Sequence, residues 1–67
     1  MKFTEHEINE MAGLVATKIH GNFSDLSGTA EKKYYMTFNV CCNAIDTDQE
    51  FESAEDTELL MLNAVNK

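Results

Sequence analysis

The feature that most constrains this chain is a helix bracketed at both ends within its first 21 residues. Thr4 stands at an N-cap position, and Glu7, three residues on, completes a capping box. Phe3 before the cap and Ile8 at the fourth helical position have the spacing of a hydrophobic staple. Ile8, Met11, Ala12, Val15 and Ile19 then recur at helical spacing and form one apolar stripe. Glu5, Glu7 and Glu10 crowd the N-terminal end, while Lys18 and His20 sit near the C-terminal end, as the helix dipole favours. Gly21 supplies the stop. The pattern predicts a helix over residues 4–20. Gly13 inside it costs up to about 1 kcal/mol relative to alanine, which marks a close approach to another helix.

An amphipathic helix needs cover, and the chain has only 67 residues to provide it. That length makes one small domain, residues 1–67, near the lower limit of independent stability. A deep, water-excluded catalytic cleft is hard to build from so little chain, so a non-enzymatic protein is expected. The last element is a second helix, from about Ala54 to Asn66, with Ser53 as N-cap and Glu55, Asp56 and Glu58 in its first turns. Leu59, Leu60, Met61, Leu62, Ala64 and Val65 make most of its circumference apolar, and such a helix must be covered on several sides. The shortage of cover predicts a homo-oligomer, in the first instance a homodimer, or a stable complex with a partner. Leu59, Leu60, Met61, Leu62 and Val65 are the candidate apolar interface.

Between the two helices lie turn residues and one ambiguous segment. Gly21, Asn22, Ser24, Asp25, Ser27, Gly28 and Thr29 are loop chemistry, with Phe23 and Leu26 expected to pin the loop to the core. Over 33–45, Tyr34, Met36, Phe38, Val40, Cys42 and Ala44 alternate with Tyr35, Thr37, Asn39, Cys41 and Asn43, a period of two that reads as a strand. A helix can also be drawn, with Tyr34, Phe38, Cys41, Cys42 and Ile45 on one side. It would place Lys32 and Lys33 at the positive end of its dipole and Asp46 and Asp48 at the negative end. The strand reading makes residues 33–53 a β-hairpin that turns at Asp46–Gln49. The expected fold is therefore α+β: helix, hairpin, helix. The alternative is a three-helix bundle with residues 30–45 helical. Tyr34 and Tyr35 would fall on opposite faces of a strand, exposing one, and Tyr35 joins the candidate interface as an anchor of the type interfaces favour.

Charge narrows the partners. Twelve acidic residues against five lysines and no arginine give a net charge of −7. Direct binding to nucleic acid and to anionic membrane surfaces is opposed by repulsion, while basic partners are attracted. Asp46, Asp48, Glu50, Glu52, Glu55, Asp56 and Glu58 concentrate the charge and form a candidate acidic binding face. They do not make a calcium loop, because the sixth position is Phe51 rather than glycine and the twelfth is Thr57 rather than glutamate. They could instead imitate a nucleic-acid backbone and block a basic groove on a DNA- or RNA-handling protein.

Other chemistry finds little support. Cys41 and Cys42 are adjacent, which fits neither a zinc site nor a redox CxxC pair. They read as two reduced thiols, with a strained vicinal disulfide as the sharper possibility. His6-Glu7-Ile8-Asn9-Glu10 departs from the HExxH metal motif where Glu10 replaces the second histidine. His20 lies 14 residues from His6, about 21 Å along a helix. No nucleophile elbow or glycine-rich phosphate loop is present. No catalytic, cofactor-binding or metal-binding residue is therefore assigned, and a small metal-binding or redox protein is the remote reading. No apolar stretch has the length of a membrane span, and Met1–Glu7 carries no apolar signal core, so a cytoplasmic location is expected.

In its small size and strong acidity the chain resembles the short acidic accessory proteins of bacteriophages. That resemblance implies an inhibitor or modulator of another protein. The expectation is a small acidic protein that binds and modulates a protein partner.

Overall fold

The computed structural model describes all of residues 1–67. Three helices form an all-α bundle, α1 over Glu5–His20, α2 over Thr29–Asn43 and α3 over Ala54–Val65, with one 3-10 turn at Phe23–Asp25. They hold 16, 15 and 12 residues, well over half of the chain. The bundle measures 36 × 24 × 16 Å.

The expected β-hairpin on residues 33–53 is not formed, and the α+β reading is overturned by the absence of any strand. The period-two pattern misled because it counted apolar side chains that the fold leaves in water. Met36, on which the alternation relied, is 68% exposed, and Val40 is exposed as well. The helical stripe is the one the core uses. Cys41 and Ile45 are buried, and Phe38 and Cys42 pack against the same cluster. The charge objection dissolves because α2 starts at Thr29. Lys32 and Lys33 fall beyond its first three residues, Glu31 lies in the first turn, and Asp46 and Asp48 lie past the Ala44 cap.

The capping box of α1 is complete. The Glu7 N–H donates to Thr4 Oγ1 at 3.1 Å, and the Thr4 N–H donates to Glu7 Oε1 at 3.0 Å. Phe3 and Ile8, the staple pair, are both buried. Gly21 closes the helix at φ 96°, and Gly28 opens α2 at φ 60°. Both values lie where a β-carbon is strained, so the two glycines let an eight-residue connection reverse the chain. Asn9 meets Cys42 near one end of the pair, and Gly13 and Thr17 meet Tyr34 further along. That order makes α2 antiparallel to α1.

The third helix is less naked than its composition implies. Ser53 Oγ accepts the Asp56 N–H at 3.3 Å, and from that cap Thr57 and Met61 turn inward, both at 0% exposure. Phe51 stacks on Phe3 at 5.9 Å between ring centroids, and the Phe51 N–H donates to the Met1 carbonyl at 2.8 Å. The chain from 44 to 53 is thus fastened to the start of α1, which aims α3 back across the bundle.

Candidate functional site: an aromatic cleft and an acidic edge

Helix geometry decides where the aromatic residues go. On a helix, successive residues are about 100° apart, so Tyr34 and Tyr35 share a side that a strand would have divided. Phe38, one turn later, completes the wall from α2. Phe23 comes from the 3-10 turn, whose backbone closes when the Asp25 N–H donates to the Asn22 carbonyl at 3.0 Å. The four side chains Phe23, Tyr34, Tyr35 and Phe38 line an open cleft of about 250 Å³.

The rings in this cleft hold one another. Phe23 lies 5.2 Å from Tyr34 and 5.1 Å from Tyr35, and the Tyr34–Tyr35 pair is edge-on at 6.4 Å. Tilted and edge-on pairs are the favourable arrangements for aromatic quadrupoles. The Tyr34 hydroxyl is used on the inner side. It donates to the Gly13 carbonyl oxygen at 3.3 Å and lies 3.1 Å from the Thr17 hydroxyl. Gly13 therefore does mark a helix contact, though a methyl there would meet the Tyr34 oxygen only at 4.0 Å. Behind Tyr34, His20 Nε2 is 2.7 Å from Thr37 Oγ1. Tyr34 is thus fixed, whereas Tyr35 is 51% exposed and Phe23 is also open to solvent.

The sequence had marked Tyr35 but not its companions. Phe23 was expected to point into the core and instead caps the two tyrosines. The signal that could have found the cleft is the i, i+1, i+4 aromatic spacing of 34, 35 and 38, which has meaning only once the segment is helical.

The remaining candidates lie on the connection after α2 and along α3. Asp46, Asp48, Glu50, Glu52, Glu55 and Asp56 are exposed, and Glu58 is half-buried. Glu58 Oε2 lies 3.5 Å from Lys18 Nζ, and Glu50 Oε1 lies 2.9 Å from the Met1 amino group. That amino group holds the Glu50 carboxyl below its usual range. The other five acids make no ion pair. Of the apolar candidates, Met61 is wholly inside, Leu62 and Val65 are half-buried against the core, and Leu59 and Leu60 remain exposed. The structure brings neither Leu59 nor Leu60 into the aromatic cleft.

No cluster of three or more metal-ligating side chains is assembled. Cys41 is buried and Cys42 partly so, both unbridged. Burial pushes both thiols up, which keeps them protonated and poorly nucleophilic. His6 Nε2 and Glu10 Oε1 form an exposed pair at 2.8 Å with no third ligand. No helix is long and apolar enough to cross a membrane. Comparison with known protein families, with curated proteins and with solved structures finds no match in any of the three.

Proposed function

We propose that this chain is a non-enzymatic module that binds another protein through the cleft formed by Phe23, Tyr34, Tyr35 and Phe38. The observation that carries the reading is an exposed, wholly aromatic cleft on a helical scaffold only 67 residues long. Whole small-molecule ligands usually occupy pockets of about 300–1,000 Å³. A cleft of about 250 Å³ is nearer the size of one inserted side chain. Aromatic residues are the commonest energetic anchors of protein interfaces, and rings already packed together lose little entropy on binding. The charge of −7 adds attraction toward basic partners.

Affinity purification from native host extract tests this, with wild type compared with a Phe23→Ala/Tyr35→Ala variant. The expected result is a stoichiometric partner that stays bound at about 0.5 M salt, where surface charge pairs are largely screened, and that the variant loses. A partner released by salt, lost on Glu50→Lys/Glu52→Lys/Glu55→Lys and kept by the aromatic variant would replace this reading with nucleic-acid mimicry.

Self-association is a separate part of the proposal. With Met61 and Thr57 inside the bundle, it rests on Leu59, which is 53% exposed, and on Leu60. Sedimentation at micromolar concentration is expected to give twice the 7.6 kDa of one chain, and Leu59→Lys/Leu60→Lys is expected to return it to one. A wild-type monomer would remove the homodimer.

A further inference from the structure

The chemistry of the aromatic cleft selects its occupant more narrowly than apolarity does. All four lining residues are aromatic and none carries a positive charge, so a carboxylate or phosphate would meet no cation there and at most the Tyr35 hydroxyl as a donor. Ring faces carry the negative lobe of the aromatic quadrupole. Phe23, Tyr34 and Tyr35 have centroids within 6.4 Å of one another, so a cation seated on the open side falls within reach of more than one ring at the distance of about 6 Å that cation–π attraction requires.

The acidic groups nearest the cleft are Glu31 and Asp25, beside Lys32 and Lys33 on α2. Glu31 is one turn before Tyr34 and Tyr35, on the stripe that continues through Phe38. By helical spacing its direction lies between those of the two tyrosines. Lys32 is turned about 120° away from Phe38 on the same count, and lies about 60° from Tyr35 on the side away from Glu31. Asp25 follows Phe23 by two residues within the 3-10 turn. The cleft therefore has aromatic walls and carboxylates on the two elements that form it, in a chain of net charge −7.

We propose that the cleft receives an arginine side chain from a basic segment of the partner protein. Its aliphatic stem lies along Phe23 and Phe38, its guanidinium covers the exposed ring of Tyr35, and Glu31 offers a carboxylate to the outer N–H groups. Arginine fits better than lysine because a guanidinium is planar, stacks on rings and is weakly hydrated, whereas a lysine ammonium must give up a tightly held water shell. The chain contains no arginine of its own, so a second copy cannot supply the group. This inference rests on the reading of the cleft as an anchor site.

Tyr34 and Tyr35 are the only tyrosines and there is no tryptophan, so tyrosine fluorescence and the tyrosine ring signals in NMR report on the cleft alone. The test titrates the intact protein with capped Gly-X-Gly peptides in which X is arginine, citrulline, lysine or leucine. Citrulline keeps the shape of arginine and removes its charge. Arginine is expected to bind at least about threefold more tightly than citrulline, the size of effect an exposed cation–π contact supplies, and more tightly than lysine because its guanidinium stacks and is less strongly hydrated. Tyr35→Leu, a change at an exposed ring, is expected to abolish that preference without altering the helical circular dichroism. Leucine binding as well as or better than arginine would overturn the inference and leave the cleft as an apolar anchor site. Equal binding of arginine and citrulline would also overturn it. Arginine binding that survives Tyr35→Leu but is lost on Glu50→Lys/Glu52→Lys would reassign it to the acidic edge. Tyrosine signals unmoved by any peptide would overturn both this inference and the cleft reading.

Discussion

The two ends of the bundle solve the problem of an exposed functional surface in opposite ways. At the aromatic end, Phe23, Tyr34 and Tyr35 are held by one another and by the Tyr34 hydroxyl against α1, so the surface is ordered before anything binds it. At the acidic end, Asp46, Asp48, Glu52, Glu55 and Asp56 project into water without ion-pair partners, and their position is set by the connection that Phe51 fastens to α1 and by the first turn of α3. The first end can supply shape and the second only field. A rigid apolar cleft discriminates by fit, whereas a solvated acidic edge acts at a distance and is weakened by salt.

The strongest way to break the contrast is to remove what holds the acidic end in place. Met61 is the largest fully buried side chain and the main inward contact of α3. Met61→Ala is expected to cost about 2–5 kcal/mol. A domain of this size has roughly 3–10 kcal/mol in total. Urea unfolding followed by circular dichroism should therefore show the midpoint fall sharply, with much of the chain unfolded in buffer at the upper end of that range. A change below about 1 kcal/mol would mean that α3 is held by something other than its core contact.

A matched pair of smaller changes compares the ends directly. Ser53→Ala removes the cap of α3 and is expected to cost about 1 kcal/mol. Tyr34→Phe removes the hydroxyl that Gly13 and Thr17 share and is expected to cost a similar amount, about 0.5–1.5 kcal/mol. The two should differ in function. Tyr34→Phe is expected to alter ligand response at the cleft because it frees the ring, whereas Ser53→Ala should leave that response unchanged. Peptide titration of both variants checks this, and equal effects on binding would show that the ends are coupled through the bundle.

Much of this architecture was legible in the residues, and the failures are instructive. The first helix announces itself because Thr4, Glu7, Phe3, Ile8 and Gly21 all specify the same boundaries, so no tertiary information is needed. The third helix is marked by Ser53 in the same way. The second has no such bracket. Gly28 caps it with backbone alone and no side-chain bond, and its apolar residues satisfy periods of both two and three to four. What decides between them is the environment of Met36 and Val40, which depends on where α1 and α3 stand. The cleft was hidden for the same reason, since Tyr34, Tyr35 and Phe38 converge only on a helix and Phe23 joins them only after Gly21 and Gly28 have turned the chain. The acidic face needed no fold to be seen, because charge density is a property of sequence.

Acid titration sharpens the comparison at a finer scale. The Glu7 carboxylate is held below its usual range, first by the Thr4 N–H and then by the Thr4 hydroxyl. A carboxyl whose pKa is lower folded than unfolded adds stability above the ordinary carboxylate range, and that contribution is lost as pH falls through its folded value. Glu50 behaves in the same sense through the Met1 amino group. Glu7→Gln keeps an acceptor at the capping box but removes the titration. Stability measured from neutral pH down to about pH 3, below the ordinary carboxylate range, should therefore fall less steeply in the variant than in wild type. Parallel curves would place the acid sensitivity elsewhere.

The smallest expected effect concerns the acidic edge itself, and its sign is the informative part. Asp48 and Glu52 are exposed and take part in no ion pair. Neither therefore contributes an attractive contact that a substitution could remove. Each adds to the self-repulsion of a chain with seven excess negative charges. Asp48→Lys/Glu52→Lys changes the net charge from −7 to −3 and is expected to stabilise the fold by up to about 0.5 kcal/mol at low salt, the usual scale for surface substitutions. The gain should shrink as added salt screens the repulsion. A loss of stability would show that these carboxylates are held in local structure after all. The acidic end would then share the ordered character of the aromatic end, and the division of the bundle into a surface of shape and a surface of field would no longer stand.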